Sequence, residues 1–169
     1  MKHTVAALVE DRPGVLNRVA SLFRRRGFNI DSLAVGTTEE AGISRMTIVV
    51  EGAEGIATQV ERQLDKLIDV VAVEDLTKQE TVERELALIK VHAPADKRHE
   101  LVALGEVFHA RVADLGADAM IFEVVGSPEE LDSFEELVRP YGVKEMARTG
   151  RIGLGRTSAT APSPRKQHV

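Results

Sequence analysis

A short loop near the N-terminus carries the residue types best suited to binding a small charged molecule. The apolar residues 5–9 predict a buried strand, and helical spacing of apolar residues begins at Val15. Gly14 brings no side-chain bulk to this junction, so the N–H groups near Gly14, Val15 and Leu16 at the helix start can bind an anion. The nearby Asp11 can bind an ammonium group. A site with both features fits a free amino acid.

A purely structural role is the alternative for these residues. Asp11 can cap the helix, Gly14 can allow close packing, and Pro13 suits the first helical turn because it lacks an N–H group. Asn29 follows the predicted helix end at Gly27, and its amide can donate to a carboxylate or accept from an amine. It can equally serve as a turn residue. The residues of the loop alone leave both interpretations open.

The composition favours a folded protein that binds neither nucleic acid nor membranes. Of the 169 residues, 43% are hydrophobic, which is enough for a core, and only 4% are aromatic. The net charge of -5 disfavours contact with the phosphate backbone of nucleic acids. The chain has no cysteine, no recognisable signal peptide and no apolar run long enough to span a membrane. We therefore expect a cytoplasmic protein without disulfides.

The periodicity of the first half predicts the element order β-α-β-β-α-β. After the first helix, the apolar alternation slips between Ile30 and Leu33, which indicates a β-bulge near Asp31 and Ser32. The remaining predicted elements are a strand over 44–50, a helix containing Ile56, Val60, Leu64, Leu67 and Ile68, and a strand from residue 70. This order is typical of the ferredoxin-like fold, a four-stranded antiparallel sheet with two helices on one face.

The second half repeats the same order with little sequence repetition. A polar stretch over 77–84 has no periodicity and is interpreted as a linker. Beyond it, Asp96 can cap one helix, whereas Ser127 and Glu130 flank Pro128 in the pattern of a capping box. The predicted fold class is therefore α+β, with two ferredoxin-like βαββαβ domains. The predicted boundaries are 1–78 for the first domain, 79–84 for the end of the linker, 85–154 for the second domain and 155–169 for a disordered basic tail.

No catalytic or metal-binding pattern is recognised in the sequence. The five histidines are not paired at the spacing of a helical metal site. The Gly-x-Gly pattern at 153–155 has no helix after it, which argues against a dinucleotide site. We therefore expect a non-catalytic chain with no cofactor of its own. A small sheet with exposed edges is poorly stable alone, so we also expect a homodimer.

Two groups of residues resemble known protein families. The loop 11–16 together with Asn29 and Ile30 resembles the ACT domain, an amino-acid-sensing module. A broader resemblance, over about residues 1–155, is to the small regulatory subunit of acetolactate synthase, also called acetohydroxyacid synthase. The segments that carry it are 26–33, 44–48, 63–70, 83–86 and 147–150. Some members of that family have Asn at the position of Asp11.

The resemblance to these regulatory subunits implies a function for the chain. It implies a protein that activates a large catalytic subunit and confers feedback inhibition by valine or another branched-chain amino acid. Thiamine diphosphate, magnesium and FAD are then expected in the catalytic subunit. The first domain is expected to be an ACT domain. The effector-binding residues that the family motif implies are Asp11, Gly14, Val15, Leu16, Asn29 and Ile30.

Three other functions remain open from the sequence. A stand-alone ACT regulator of a different enzyme would carry the same loop. A nickel-responsive regulator would need a DNA-binding segment and a His/Cys cluster, and neither is recognised. A small enzyme would need a catalytic constellation of its own. Recovery of a thiamine-dependent synthase with the chain would distinguish these functions.

Overall fold

The computed structural model describes residues 1–162, which form two compact units. The first unit contains Met1–Val82 together with the described residues from Ile152 onward, and the second unit contains Glu83–Arg151. Each unit follows the order β-α-β-β-α-β around an antiparallel sheet, which confirms the predicted fold class. Within residues 1–162, no helix has the length and apolar character needed to cross a membrane.

The first unit has four main strands in the order β2-β3-β1-β4, and all neighbouring strands are antiparallel. The two helices connect β1 to β2 and β3 to β4. A short 3₁₀ helix follows the last strand at Leu76–Lys78. The elements are β1 (Lys2–Glu10), α1 (Val15–Arg26), β2 (Asn29–Thr37), β3 (Ile43–Glu51), α2 (Ile56–Leu64) and β4 (Val70–Asp75).

The core of the first unit lies between the helices and one face of the sheet. Alternate residues of the two central strands enter it, as the period of two in their sequences predicts. The helices contribute the apolar stripes that their spacing predicts. The buried members are Val5, Ala7, Val9, Met46, Ile48, Val50 and Val70 from the strands, and Val15, Val19, Leu22, Phe23, Ala57, Val60 and Leu64 from the helices.

Several local predictions for the first unit are confirmed. Gly27 ends α1 with φ 68°, in the left-handed conformation that favours glycine at this position. The register of β2 against β3 shifts between Ile30 and Ser32, where the slipped alternation predicts a bulge. Both features fix how the chain leaves the helix and enters the edge strand.

Two predictions for helix limits are wrong. Pro13 precedes the helix, because Gly14 is the N-cap residue and Val15 the first helical residue. The second helix ends at Leu64, and the next residues form tight turns in which the N–H of Leu67 donates to the carbonyl of Leu64 at 3.0 Å. Ile68 is 90% exposed and lies outside the helix. The turns redirect the chain into β4, which overrides the apolar spacing.

The second unit has its main strands in the order β6-β7-β5-β8, again with antiparallel neighbours. Its core contains three phenylalanines, and Phe134 packs edge-on against both Phe108 and Phe122. A 3₁₀ turn at Arg139–Tyr141 leads from the last helix towards the last strand. The elements are β5 (Thr81–His92), α3 (Arg98–Val107), β6 (Arg111–Leu115), β7 (Ala119–Gly126), α4 (Pro128–Val138) and β8 (Val143–Arg148).

The strand β5 begins inside the predicted linker, at Thr81 rather than after residue 84. Burial alternates through this polar start, with Glu83 half-buried and Glu85 buried. Glu83 pairs with Arg151 at 3.0 Å, and Glu85 accepts hydrogen bonds from Arg148. Because charged residues with ionic partners occupy the inner positions, hydropathy alone did not show the period of two.

The two helices of the second unit begin differently from each other. The capping box at α4 is confirmed: Ser127 Oγ accepts from the N–H of Glu130, and Glu130 Oε2 accepts from the N–H of Ser127. The predicted cap at α3 is wrong, because the N-cap residue is Lys97 and no side chain caps the helix. Asp96 precedes that position in a turn closed by a hydrogen bond from the N–H of Lys97 to the carbonyl of Pro94.

A ninth strand, β9 (Ile152–Gly155), was not predicted and pairs with β5. Arg45 of β3 donates from Nη2 to the carbonyl of Gly153 at 2.8 Å. Burial lowers the pKa of Arg45, and the carboxylate of Glu74 opposes this shift. The Gly153 carbonyl therefore gives this half-buried guanidinium one of the acceptors that it needs.

The C-terminal segment changes the predicted domain limits. The described residues from Ile152 onward group with the first unit, whereas they were predicted to be the end of the domain 85–154 and a disordered tail 155–169. Ordered contacts continue beyond β9, since the N–H of Arg156 donates to the carbonyl of Glu80 at 3.0 Å. Residues 163–169 of the predicted tail lie outside the described residues.

Candidate functional site

The predicted loop leaves free N–H groups at the start of α1. Gly14 has φ 87° and makes no side-chain cap, as a glycine cannot. The N–H of Val15 donates to the carbonyl of Arg12 at 3.4 Å, and the N–H of Arg18 donates to the carbonyl of Gly14 at 3.0 Å. Among the described residues, the N–H groups of Leu16 and Asn17 between them have no partner. Two donors at a helix start are thus available to an anion.

Backbone hydrogen bonds hold the first two residues of this loop in place. The N–H of Asp11 donates to the carbonyl of Gly42 at 2.8 Å, and the N–H of Arg12 donates to the carbonyl of Glu10 at 3.0 Å. The Asp11 residue is exposed and its side chain does not cap α1, so the capping role considered for it is wrong. Its carboxylate remains available to a ligand.

Position 14 favours glycine for two reasons, the backbone conformation there and the small space left by a neighbouring side chain. A φ of 87° is strained for any residue with a Cβ atom. A Cβ atom at this position would also lie 3.0 Å from Nη1 of Arg18. The packing role considered for Gly14 is therefore present, and the packing neighbour is a charged side chain rather than the core.

An ionic network beside the loop was missed by the sequence reasoning. Arg18 Nε donates to Asp69 Oδ2 at 2.6 Å, and Arg12 lies between Glu10, which it contacts, and Asp69 Oδ1 at 3.9 Å. Asp69 is only 5% exposed, and its backbone carbonyl accepts from the N–H of Glu10 at 2.9 Å. The available signal was the pairing of β4 with β1, which places the residue before Val70 beside the end of β1.

Asn29 and Ile30 lie at the opposite end of the sheet from the loop. Asn29 pairs in register with Glu51, and Glu51 pairs with Lys2 at the start of β1. The loop follows the other end of β1, eight residue steps away, or about 26 Å at the rise of a strand. One chain therefore does not bring the six predicted site residues together. Within this chain, Asn29 Nδ2 lies 3.5 Å from Glu51 Oε2, and Ile30 packs against the core.

The strand that carries Asn29 has a free edge. In the order β2-β3-β1-β4, β2 pairs on one side only among the described strands. Its residues are exposed or half-buried along its whole length. The far end of β2, at Thr37, pairs with Ser44, which pairs with Val9 next to the loop. The edge strand thus runs from the Asn29 end of the sheet to the loop end.

The described residues contain no group of three or more His, Cys, Asp or Glu side chains that could hold a metal ion. Arg12 and Arg18 beside the loop are instead paired with Glu10 and Asp69. The arrangement suits reversible binding of a zwitterion, in which the N–H groups donate to a carboxylate and the Asp11 carboxylate accepts hydrogen bonds from an ammonium group.

Comparison with known proteins gives a consistent family for both units. Residues 5–72 match the family model described as the AHAS small subunit-like ACT domain, and residues 84–157 match the model described as the small subunit of acetolactate synthase. These matches place one family module in each half of the chain.

Similar proteins cover nearly the full length of the chain. A probable acetolactate synthase small subunit of Archaeoglobus fulgidus is 55% identical, over 92% of this chain and 98% of that protein. The acetolactate synthase small subunit of Mycolicibacterium smegmatis is 46% identical over 91% of each chain. The crystal structure of the small subunit from Thermotoga maritima has a TM-score of 0.85 at 40% identity, covering 94% of this chain and 99% of that one. The chain therefore belongs to the acetolactate synthase small-subunit family.

Proposed function

We propose that this chain is a regulatory subunit that activates a catalytic acetolactate synthase subunit and confers feedback inhibition by valine or a related branched-chain amino acid. The observation that carries this proposal is the uncapped start of α1, where Leu16 and Asn17 offer free N–H groups in a chain of this family. Thiamine diphosphate, magnesium and FAD belong, in this proposal, to the catalytic subunit.

The chemistry of the loop matches the three parts of such an effector. The carboxylate of the amino acid accepts hydrogen bonds from Leu16 and Asn17, as anions do at helix starts. The ammonium group pairs with Asp11. The branched side chain packs on the apolar side chain of Leu16, which is 48% exposed. An exposed leucine beside polar donors supports an apolar rather than a polar effector side chain.

A homodimer completes the site in this proposal. If the free edges of β2 from two copies pair in antiparallel fashion, the Asn29 end of one strand lies beside the Thr37 end of the other. That end of the sheet also carries the loop. Asn29 and Ile30 of one copy would then face the loop of its neighbour, which explains why a single chain separates them.

Reconstitution with the catalytic subunit from the same organism tests the proposal. Addition of this chain should raise the turnover of the catalytic subunit, and valine should lower it only when this chain is present. Leucine and isoleucine, titrated in parallel, identify the effector. A chain that binds one of these amino acids but neither binds nor activates the synthase would instead be an ACT regulator of another enzyme.

The reconstituted complex also provides a thermodynamic check. If valine and the catalytic subunit both bind this chain, any effect of one on the affinity of the other must be reciprocal. Coupling of this kind is typically about 1–3 kcal/mol, or roughly five- to 150-fold in affinity. Measuring the affinity of the two subunits with and without valine determines whether the effector acts on assembly or on turnover alone.

A further inference from the structure

The side chain of Arg18 is held over the loop in a fixed direction. Its Nε atom donates to Oδ2 of Asp69 at 2.6 Å, and the side chain of Asp69 is only 7% exposed. Its Nη1 atom lies 3.0 Å from the point that a Cβ atom would occupy if residue 14 were not glycine. A buried carboxylate thus orients this guanidinium against the residue that begins α1.

Among residues 1–162, the hydrogen bonds of this guanidinium involve its Nε atom alone. Among the described residues, neither Nη1 nor Nη2 of Arg18 has a hydrogen-bond partner, and the side chain is 47% exposed. A guanidinium presents its two Nη groups as a fork that matches the two oxygens of a carboxylate. Because Nε is held by Asp69, the fork has little freedom to turn away from the loop.

We propose that Arg18 is a direct ligand of the effector carboxylate and that Asp69 is its positioning residue. This inference rests on the proposed function of the loop and adds a charged donor to the site. Arg18 and the N–H groups of Leu16 and Asn17 then surround the carboxylate from two sides. The effector class is therefore restricted to molecules with a free carboxylate next to the ammonium group.

Comparison of valine with valinamide isolates this contact. Valinamide keeps the ammonium group and the branched side chain but has no carboxylate. Full-length wild-type protein should bind valine about ten- to hundredfold more tightly than valinamide in a calorimetric titration, as expected for charge-assisted hydrogen bonds. In Arg18→Gln this ratio should fall towards one, mainly because valine binds more weakly. Arg18→Lys, which keeps the charge but loses the fork, should give an intermediate ratio.

Two further variants separate binding from stability. Asp69→Asn removes the charge that orients Arg18 and should lower the valine-to-valinamide ratio while Arg18 is still present. Arg25→Gln changes an exposed arginine in the last turn of the same helix and should leave the ratio unchanged. A purely structural role for Arg18 would weaken both ligands equally, so an unchanged ratio in Arg18→Gln overturns the assignment.

The outcome for the wild-type protein distinguishes this inference from the proposed function. If wild-type protein binds valine, leucine or isoleucine and Arg18→Gln keeps the full preference over the matching amide, only the role of Arg18 is wrong. If the wild-type protein binds none of the three in the presence or absence of the catalytic subunit, the proposed function fails, and the assignment of Arg18 fails with it.

Discussion

The starts of α1 and α4 show two ways of treating the same unsatisfied groups. At α4, Ser127 and Glu130 cap each other, and Pro128 has no N–H to satisfy. At α1, Gly14 provides no cap, and the N–H groups of Leu16 and Asn17 lack partners within the described chain. A capped start is closed to anions, because its donors are occupied. Of these two starts, only that of α1 keeps donors available to a ligand.

A third helix start shows that glycine alone does not make the difference. Gly55 at the start of α2 has φ 91° and no side-chain cap, as Gly14 does. A Cβ atom at Gly55 would contact nothing within 4 Å, whereas one at Gly14 would meet Arg18. The Arg18 side chain beside the N-cap glycine, rather than the backbone conformation, distinguishes the start of α1.

The largest effect on valine binding is expected when a fixed negative charge is placed at the uncapped start of α1. Gly14→Asp should raise the valine dissociation constant by roughly a hundredfold or more, because the new carboxylate repels that of the effector and competes for the same donors. Activation of the catalytic subunit should persist. Gly55→Asp is the matched control, since it introduces the same backbone strain at φ 91° at a position where a Cβ atom would meet nothing within 4 Å. Equal losses of valine binding in both variants would assign the effect to strain.

A mixture of two variant chains tests whether the loop of one copy and Asn29 of a second copy form a single binding site. Gly14→Asp and Asn29→His should each abolish valine binding as homodimers. In a mixed dimer, one site contains both substitutions and the other contains neither. Calorimetry on confirmed mixed dimers should therefore find valine bound at half the wild-type stoichiometry. Absence of any recovered binding would show that each chain builds its site alone.

Separation of the two units tests whether the uncapped start of α1 binds an amino acid without the second unit, which contains the capped start of α4. Residues 1–78 should bind valine as a dimer, because the loop and β2 both lie within them. The fragment loses the hydrogen bond from Arg45 to Gly153, so its free energy of unfolding should be lower by about 1–3 kcal/mol than that of the same fragment joined to residues 152–162. Urea unfolding of the two fragments measures this difference. A folded, dimeric fragment without affinity for branched-chain amino acids would place the sensor elsewhere.

Removal of the cap at the start of α4 should change the stability of the protein rather than its binding of valine. Ser127→Ala should lower the free energy of unfolding by about 1 kcal/mol through loss of the cap. Ser133→Ala is the control, because Ser133 is exposed in the middle of the same helix. Denaturant unfolding measures the difference between the two variants. Valine affinity that changes with Ser127→Ala would contradict the separation of roles between the helix starts.

The smallest effect concerns an exposed ion pair, in contrast to the partly buried pair of Arg18 and Asp69. A hydrogen bond from Lys90, at 2.7 Å, and the charge of that lysine lower the pKa of Glu145. Such a pair stabilises the fold above the unfolded-state pKa of Glu145, and this contribution is lost as the pH falls through the folded-state pKa. Lys90→Met should raise the pKa of Glu145 towards its ordinary value in an NMR titration. Lys97→Met, which removes a different surface pair, should not change it.

Local rules were sufficient where neighbours in sequence determine the structure. Gly27 at the end of α1, the bulge near Ser32 and the capping box at Ser127 all follow from a few adjacent residues. The pairing of Arg18 with Asp69 joins residues 51 positions apart and depends on the register of β4 against β1. No local pattern encodes that register, so the pairing of Arg18 with Asp69 beside the loop could not be predicted from neighbouring residues.

The strand β9 was missed for the same reason. Ile152 and Leu154 alternate with glycines, which is a weak strand signal, and both side chains remain exposed. One contact that holds the segment is the acceptor that it provides to Arg45, 108 positions earlier in the chain. The need of this guanidinium for acceptors could be inferred only once the structure showed Arg45 to be half-buried.

The return of the chain to its first unit means that this unit receives its last contacts late in synthesis. Because residues from Ile152 onward belong to the first unit, the whole of Glu83–Arg151 leaves the ribosome before that unit has all its contacts. The second unit in sequence can therefore be the first to complete its structure, although domains usually fold from the N-terminus. A nascent chain released early, before Gly153, would leave the guanidinium of Arg45 without one of its acceptors. Translation that stops short of the last strand would thus yield a protein with a complete second unit and a first unit that lacks part of its contacts.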